Sequence, residues 1–254
     1  MSTPNAPAPS SPRSRMPRKR VLVVLALIAV AVIAGGGFGL WYILVGPGAP
    51  AAVDASAPII PSGGPGAAPA SLDGKWVVNT TSGSIDDGSA SFAGYRVQEQ
   101  LAGVGGHTAV GRSTKVSGSM TLSGSVVTSA TVTVDMTALT SDSPFRDDQL
   151  RTQAIQTDTY GTSTFQLTSP LDLKSLPAEG ATMSLSGSGT MTIHGVSRPV
   201  SIALQALRQG GIIAVTGTLP VVFSDWGIQK PTSFSVLSVD DHGTMELHLL
   251  FTHA

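Results

Sequence analysis

Gly189-Thr-Met-Thr-Ile-His-Gly-Val-Ser-Arg-Pro-Val-Ser-Ile-Ala-Leu204 decides the fold. Apolar and small polar side chains alternate through Met191 and Ile193, and again through Val200, Ile202 and Leu204. Between them His194-Gly195-Val196-Ser197 is a break that can turn the chain back. Period-two alternation on both sides of a glycine-containing turn predicts two antiparallel strands, each with one apolar face. Two strands alone are at best marginally stable in water, so this hairpin must close over a larger apolar interior.

Outward from the hairpin the same texture repeats. Strands are predicted at 75–79, 91–100, 112–122, 126–136, 161–168, 181–193, 198–207, 211–223 and 244–252. In the strand ending at Met136, Val132, Val134 and Met136 share one face and Thr131, Thr133 and Asp135 the other. In the last, Met245, Leu247, Leu249 and Phe251 lie together, opposite Glu246, His248 and Thr252. One dry face and one wet face per strand is the pattern of an antiparallel barrel. Ser141-Asp-Ser-Pro-Phe-Arg-Asp-Asp-Gln-Leu-Arg-Thr breaks the alternation. Ser143 as N-cap, Pro144 at the first helical position and Asp147 and Asp148 in the first turn predict a short helix over 144–154. Its Leu150 and Ala154 face the barrel.

The chain divides into four parts. Residues 1–20 are polar and carry Arg13, Arg15, Arg18, Lys19 and Arg20 with no acid. Residues 21–45 hold no charged side chain. As a helix at about 1.5 Å per residue they would reach roughly 38 Å, enough for a hydrocarbon core of about 30 Å. The cations precede this run, so a single transmembrane helix with a cytoplasmic N-terminus and an exported remainder is expected. The run is too long for a cleaved signal peptide. Residues 46–71, with proline at 47, 50, 58, 61, 65 and 69, are expected to form a disordered, semi-extended linker. Residues 72–254 are one domain, with ten Lys/Arg against fifteen Asp/Glu. The missing basic stripe argues against nucleic acid as a partner.

No pattern points to catalysis. The chain has no cysteine, which removes disulfides, thiolate chemistry and the common zinc frameworks. His107, His194, His242, His248 and His253 form no metal-ligand spacing and are expected as solvated polar-face and turn residues. Asp86/Asp87, Asp147/Asp148 and Asp240/Asp241 fall in turns or at the helix start rather than as an acid/base dyad. The serine- and glycine-rich stretch 184–189 is not a strand–turn–helix nucleophile. What remains is a binding interior, and no cofactor, metal or enzymatic activity is expected.

Several segments together resemble the YceI-like polyisoprenoid-binding family. Phe165 follows Tyr160-Gly-Thr-Ser-Thr, similar to that family's "yPtatF" strand entry. Phe145-Arg-Asp-Asp-Gln-Leu150 resembles its "RD-x-x-L" helix, and Gly189–Val200 its "G-x-L-T-I-x-G-V-T-R-P-V" hairpin. Ser224-Asp-Trp-Gly-Ile228 is similar to its "D-F/Y-G-I" segment, and Gly74-Lys-Trp76 to its opening strand. Two departures are present: no histidine stands near Phe92–Gln100 where many members have "F-x-V-x-H", and Gly161 replaces a common proline. The resemblance implies a lipocalin-like barrel with a helix beside it, a long apolar tunnel, and a polyisoprenoid-type lipid as ligand. The expected lining residues are Phe92, Tyr95, Val97, Val132, Val134, Met136, Phe165, Leu167, Met183, Leu185, Met191, Ile193 and Trp226. The expectation is thus a membrane-tethered lipid binder of the bacterial cell envelope. The competing reading is a non-enzymatic envelope interaction module with a solid core.

Overall fold

The computed structural model describes residues 49–54, 57–62, 67–233 and 236–254. The basic tail 1–20 and the apolar run 21–45 lie outside the described residues; among those described, no helix is long and apolar enough to cross a membrane.

The described strands are β1 (Gly74–Asn79), β2 (Phe92–Leu101), β3 (Gly105–Ser113), β4 (Val116–Ser123), β5 (Val126–Asp135) and β6 (Thr140–Ser141), then β7 (Thr162–Leu167) and β8 (Leu171–Asp172). They continue as β9 (Thr182–Ile193), β10 (Val196–Gln209), β11 (Ile212–Val222), β12 (Val236–Val239) and β13 (His242–His253). A helix, α1 (Pro144–Gln149), runs on into a π-helical turn (Leu150–Ala154). The expected hairpin is β9–β10, but its turn is tighter than four residues. Ile193 pairs with Val196, and His194 and Gly195 alone make the loop, with φ of 51° and 73°. Two positive φ values match the right-handed twist of the flanking strands. The strand expected over 112–122 is two: β3 ends at Ser113 and β4 starts at Val116.

Every pairing is antiparallel. β1, β4, β5, β7, β9, β10, β11 and β13 pair in that order, and β13 returns to β1, so eight strands close a barrel. β13 is shared lengthwise: Leu250–His253 pair with β1, whereas Thr244–His248 pair with β2. At that second end β2, β3 and β6 replace β1 and β4. Here α1 and its π turn lay Leu150 and Ala154 on Leu139, Tyr95 and Met136, as the helix pattern predicts. Ser143 sits at the N-cap with extended backbone, but its side chain makes no cap bond.

Trp76, fully buried in β1, anchors the opposite end with Leu122, Val127, Leu249 and Phe251. The wet face expected for β13 is not wet. Glu246, His248 and Leu250 point outward yet are buried, because part of the expected linker lies across them. Residues 50–54 and 57–60 run over the outside of the barrel rather than hanging free. Polar main chain can be held there because charged side chains of β2, β3 and β13 supply the hydrogen bonds that solvent would otherwise give.

Candidate functional site: the barrel interior

Odd-numbered residues of β2 and β13 point inward by strand alternation, and they open onto two apolar cavities. The one beside α1 has a volume of about 150 Å³, and its walls include Tyr95, Val97, Val134, Met136, Leu150, Ile193 and Phe223. The second, toward Trp76, is about 140 Å³ and is walled by residues such as Val132, Phe165, Leu185, Met191, Leu247 and Phe251. Ala93, Val134, Ser163 and Met245 line both, so the two cavities are neighbouring lobes that adjoin at a waist formed by these four side chains.

Glycines let the aromatic walls form. Tyr95 pairs with Gly111, and a Cβ there would stand 2.4 Å from the Tyr95 ring. Phe165 lies against Gly189 in the same way, again at 2.4 Å. Each ring lies flat on a neighbouring strand only because that strand has no side chain at the contact.

The α1 lobe ends in a charged cluster. Arg146 donates through Nη2 to Glu99 Oε1 at 2.6 Å, and its Nη1 reaches Asp142 Oδ1. His107, opposite Glu99 across β2–β3, sets Nδ1 3.1 Å from Glu99 Oε1 and Nε2 3.6 Å from Asp142 Oδ2. All four side chains are nearly buried, so His107 is not the solvated residue expected. The paired carboxylates hold the Arg146 guanidinium above its ordinary range, against the opposing effect of burial, which is the larger single influence. Burial pushes the Tyr95 phenol far above its usual range, so it stays neutral. Its hydroxyl is buried without a hydrogen-bond partner among the described residues.

Of the thirteen residues expected to line the tunnel, ten do. Tyr95, Val97, Val134, Met136 and Ile193 line the α1 lobe. Val132, Val134, Phe165, Leu167, Leu185 and Met191 line the Trp76 lobe. Three do not. Phe92 is an even-numbered residue of β2 and faces outward, buried beneath the Arg112 guanidinium at 4.3 Å. Trp226 lies in the turn after β11 and packs behind Met191 and Ile193. Met183 shares the inward parity of Leu185 but sits at the start of β9, beyond the cavity. Sequence reasoning missed the waist residues Ala93, Ser163 and Met245, and the polar Glu99 and Arg146. Glu99 was findable, because it continues the Tyr95, Val97 parity.

A family model for the YceI-like domain matches residues 76–251. The chain belongs to the YceI-like family. Among solved structures, it is similar to a polyisoprenoid binding domain from Saccharophagus degradans at 18% identity and a TM-score of 0.54, covering 70% of this chain and 98% of that one. It also matches Burkholderia cenocepacia BcnA at 20% identity and TM-score 0.48, covering 62% and 95% of the two chains. The Campylobacter jejuni YceI protein matches at 16% and 0.47, covering 57% and 84%. No curated protein matches the chain. The family match begins on Trp76 in β1 and ends on Phe251 in β13, so residues 50–54 and 57–60, which lie across the barrel, stand outside the matched region.

Proposed function

We propose that this YceI-like protein is a membrane-tethered, extracytoplasmic barrel that holds a long apolar lipid of polyisoprenoid type and acts by binding rather than by catalysis. The observation that carries this is the two-lobed apolar interior. Apolar cavities of this size can take up apolar guests. An apolar chain lying along both lobes would leave water along its length, at about 25 cal/mol per Å². The similar fold of the Saccharophagus degradans domain, described as polyisoprenoid binding, supports the ligand class. The basic tail and the uncharged run 21–45 support the tether. Because Arg146 is already matched by Glu99 and Asp142, the charged cluster serves as the polar end-wall of the α1 lobe.

The test is to block the waist. Ala93 lines both lobes, and Ala93→Trp fills their junction. Delipidated wild-type protein should take up a fluorescent prenyl probe, and the folded variant should not. A folded variant that binds the probe as well as wild type contradicts an interior site.

A further inference from the structure

Residues 50–54 and 57–60 precede the family-matched region, and several of their main-chain groups are held by side chains of the barrel. Arg96 of β2 donates through Nη1 to the Pro50 carbonyl at 2.9 Å, with Nη2 on the same oxygen. Arg112 of β3 donates through Nη2 to the Ala51 carbonyl at 2.7 Å. The Val53 amide donates to Glu246 Oε2 at 3.2 Å. His248 Nε2 lies 2.9 Å from the Ile59 carbonyl, with Nδ1 2.8 Å from that of Ala90. Among the side chains, Val53 is half-buried, Pro58 is buried, and Ile60 packs on Ile212, Ala214 and Leu250.

The floor beneath is suited to letting go. Arg112 and Glu246 pair with each other at 2.8 Å, and Arg96 stands 3.7 Å from the same carboxylate. Withdrawing the segment therefore exposes a paired charge cluster to water rather than an orphaned charge. The apolar side chains that hold the segment, Val53, Pro58 and Ile60, are few beside the core of the barrel.

We propose that residues 50–54 and 57–60 are a releasable strap, and that Arg96, Arg112, Glu246 and His248 form a docking groove on the outer wall for proline-rich main chain, occupied in cis by the chain's own segment. The docking is independent of the membrane anchor proposed above.

The cysteine-free sequence makes the test clean. Single variants Pro58→Cys, Leu249→Cys and Ser71→Cys of the full chain are labelled with a maleimide in the native state. Ser71 is exposed and reads unhindered labelling; Leu249 is buried inside the barrel and reads global opening. Pro58→Cys should label at least tenfold more slowly than Ser71→Cys and at least tenfold faster than Leu249→Cys. Adding Arg96→Gln, which removes the bonds to Pro50, should speed labelling at position 58 about tenfold and leave position 249 unchanged. Equal rates at 58 and 249 would make the strap a fixed part of the barrel and overturn releasability. A rate at 58 equal to that at 71 would mean no docking. Faster labelling of position 58 on dilution would place the strap on a second copy and overturn docking in cis. None of these readouts depends on lipid.

Discussion

Gly187 and Gly189 lie two residues apart on the same strand of the barrel wall, and a single added methyl group should separate them sharply. A Cβ at 189 would stand 2.4 Å from both Cε2 and Cζ of Phe165 and 2.5 Å from the Gln166 carbonyl oxygen. The ring lines the Trp76 lobe, and the carbonyl belongs to the β7 backbone paired alongside. At 187 the nearest atom is the flexible end of Leu204, at 3.3 Å. Neither glycine has a positive φ, so backbone preference does not distinguish them. Overpacking of a tight wall costs about 1–3 kcal/mol. For a domain of this size that lowers Tm by between about 2 and 12 °C. Gly187→Ala loses unfolded-state entropy, worth about 0.4–1 kcal/mol in its favour, and should leave Tm unchanged or raise it by up to about 4 °C. Differential scanning calorimetry of the two variants checks this, with prenyl-probe uptake as a second readout that should fall for Gly189→Ala alone. Equal shifts for the two would refute the close approach of Phe165 to β9.

Other consequences follow from the charged and strained positions. Arg146→Met leaves Glu99 and Asp142 buried without their cation and should cost about 3–5 kcal/mol in urea unfolding; a loss under 1 kcal/mol would show that the cluster is solvated. His194 holds a φ of 51°, and both His194→Asn and His194→Val lose its ring contact with Tyr160 and its bond to the Trp226 carbonyl, so the Val variant should cost about 1–2 kcal/mol more than the Asn variant, measured by the same unfolding curves. Burial pushes the His248 imidazole below its ordinary value of 6.5, with the nearby Arg112 acting in the same direction and the bonds to Ala90 and Ile59 opposing. The unfolded chain therefore takes up a proton before the folded one does, so stability is full above pH 6.5 and falls on acidification below it. His248→Gln should flatten that part of the profile, and a wild-type profile flat between pH 7 and 5 would contradict the shift.

Local alternation carried the barrel. The β9–β10 hairpin and the inward set of β13 are legible because one side of each strand is dry and the pattern has period two. β3 was mostly invisible for a physical reason: Gly111 must be bare to accept the Tyr95 ring, so the strand lacks the apolar beat that would announce it. The waist was hidden likewise, since Ala93 and Ser163 are small where the lobes meet. The buried outer wall has no local signature at all. Glu246 and His248 read as solvent-facing, and only contacts with Val53 and Ile59, some 190 residues earlier, make them interior. Phe92 is different: its parity already sets it opposite Tyr95 and Val97, and the sequence alone sufficed to place it outside.

Lipid occupancy is the most direct measurement. The full chain, purified without added lipid and extracted into organic solvent, should release an apolar polyisoprenoid-type molecule in near-stoichiometric amount by mass spectrometry. The Ala93→Trp variant prepared in parallel should release far less. Wild-type protein that comes out empty, and takes up no prenyl lipid when one is offered, would contradict a lipid-holding barrel.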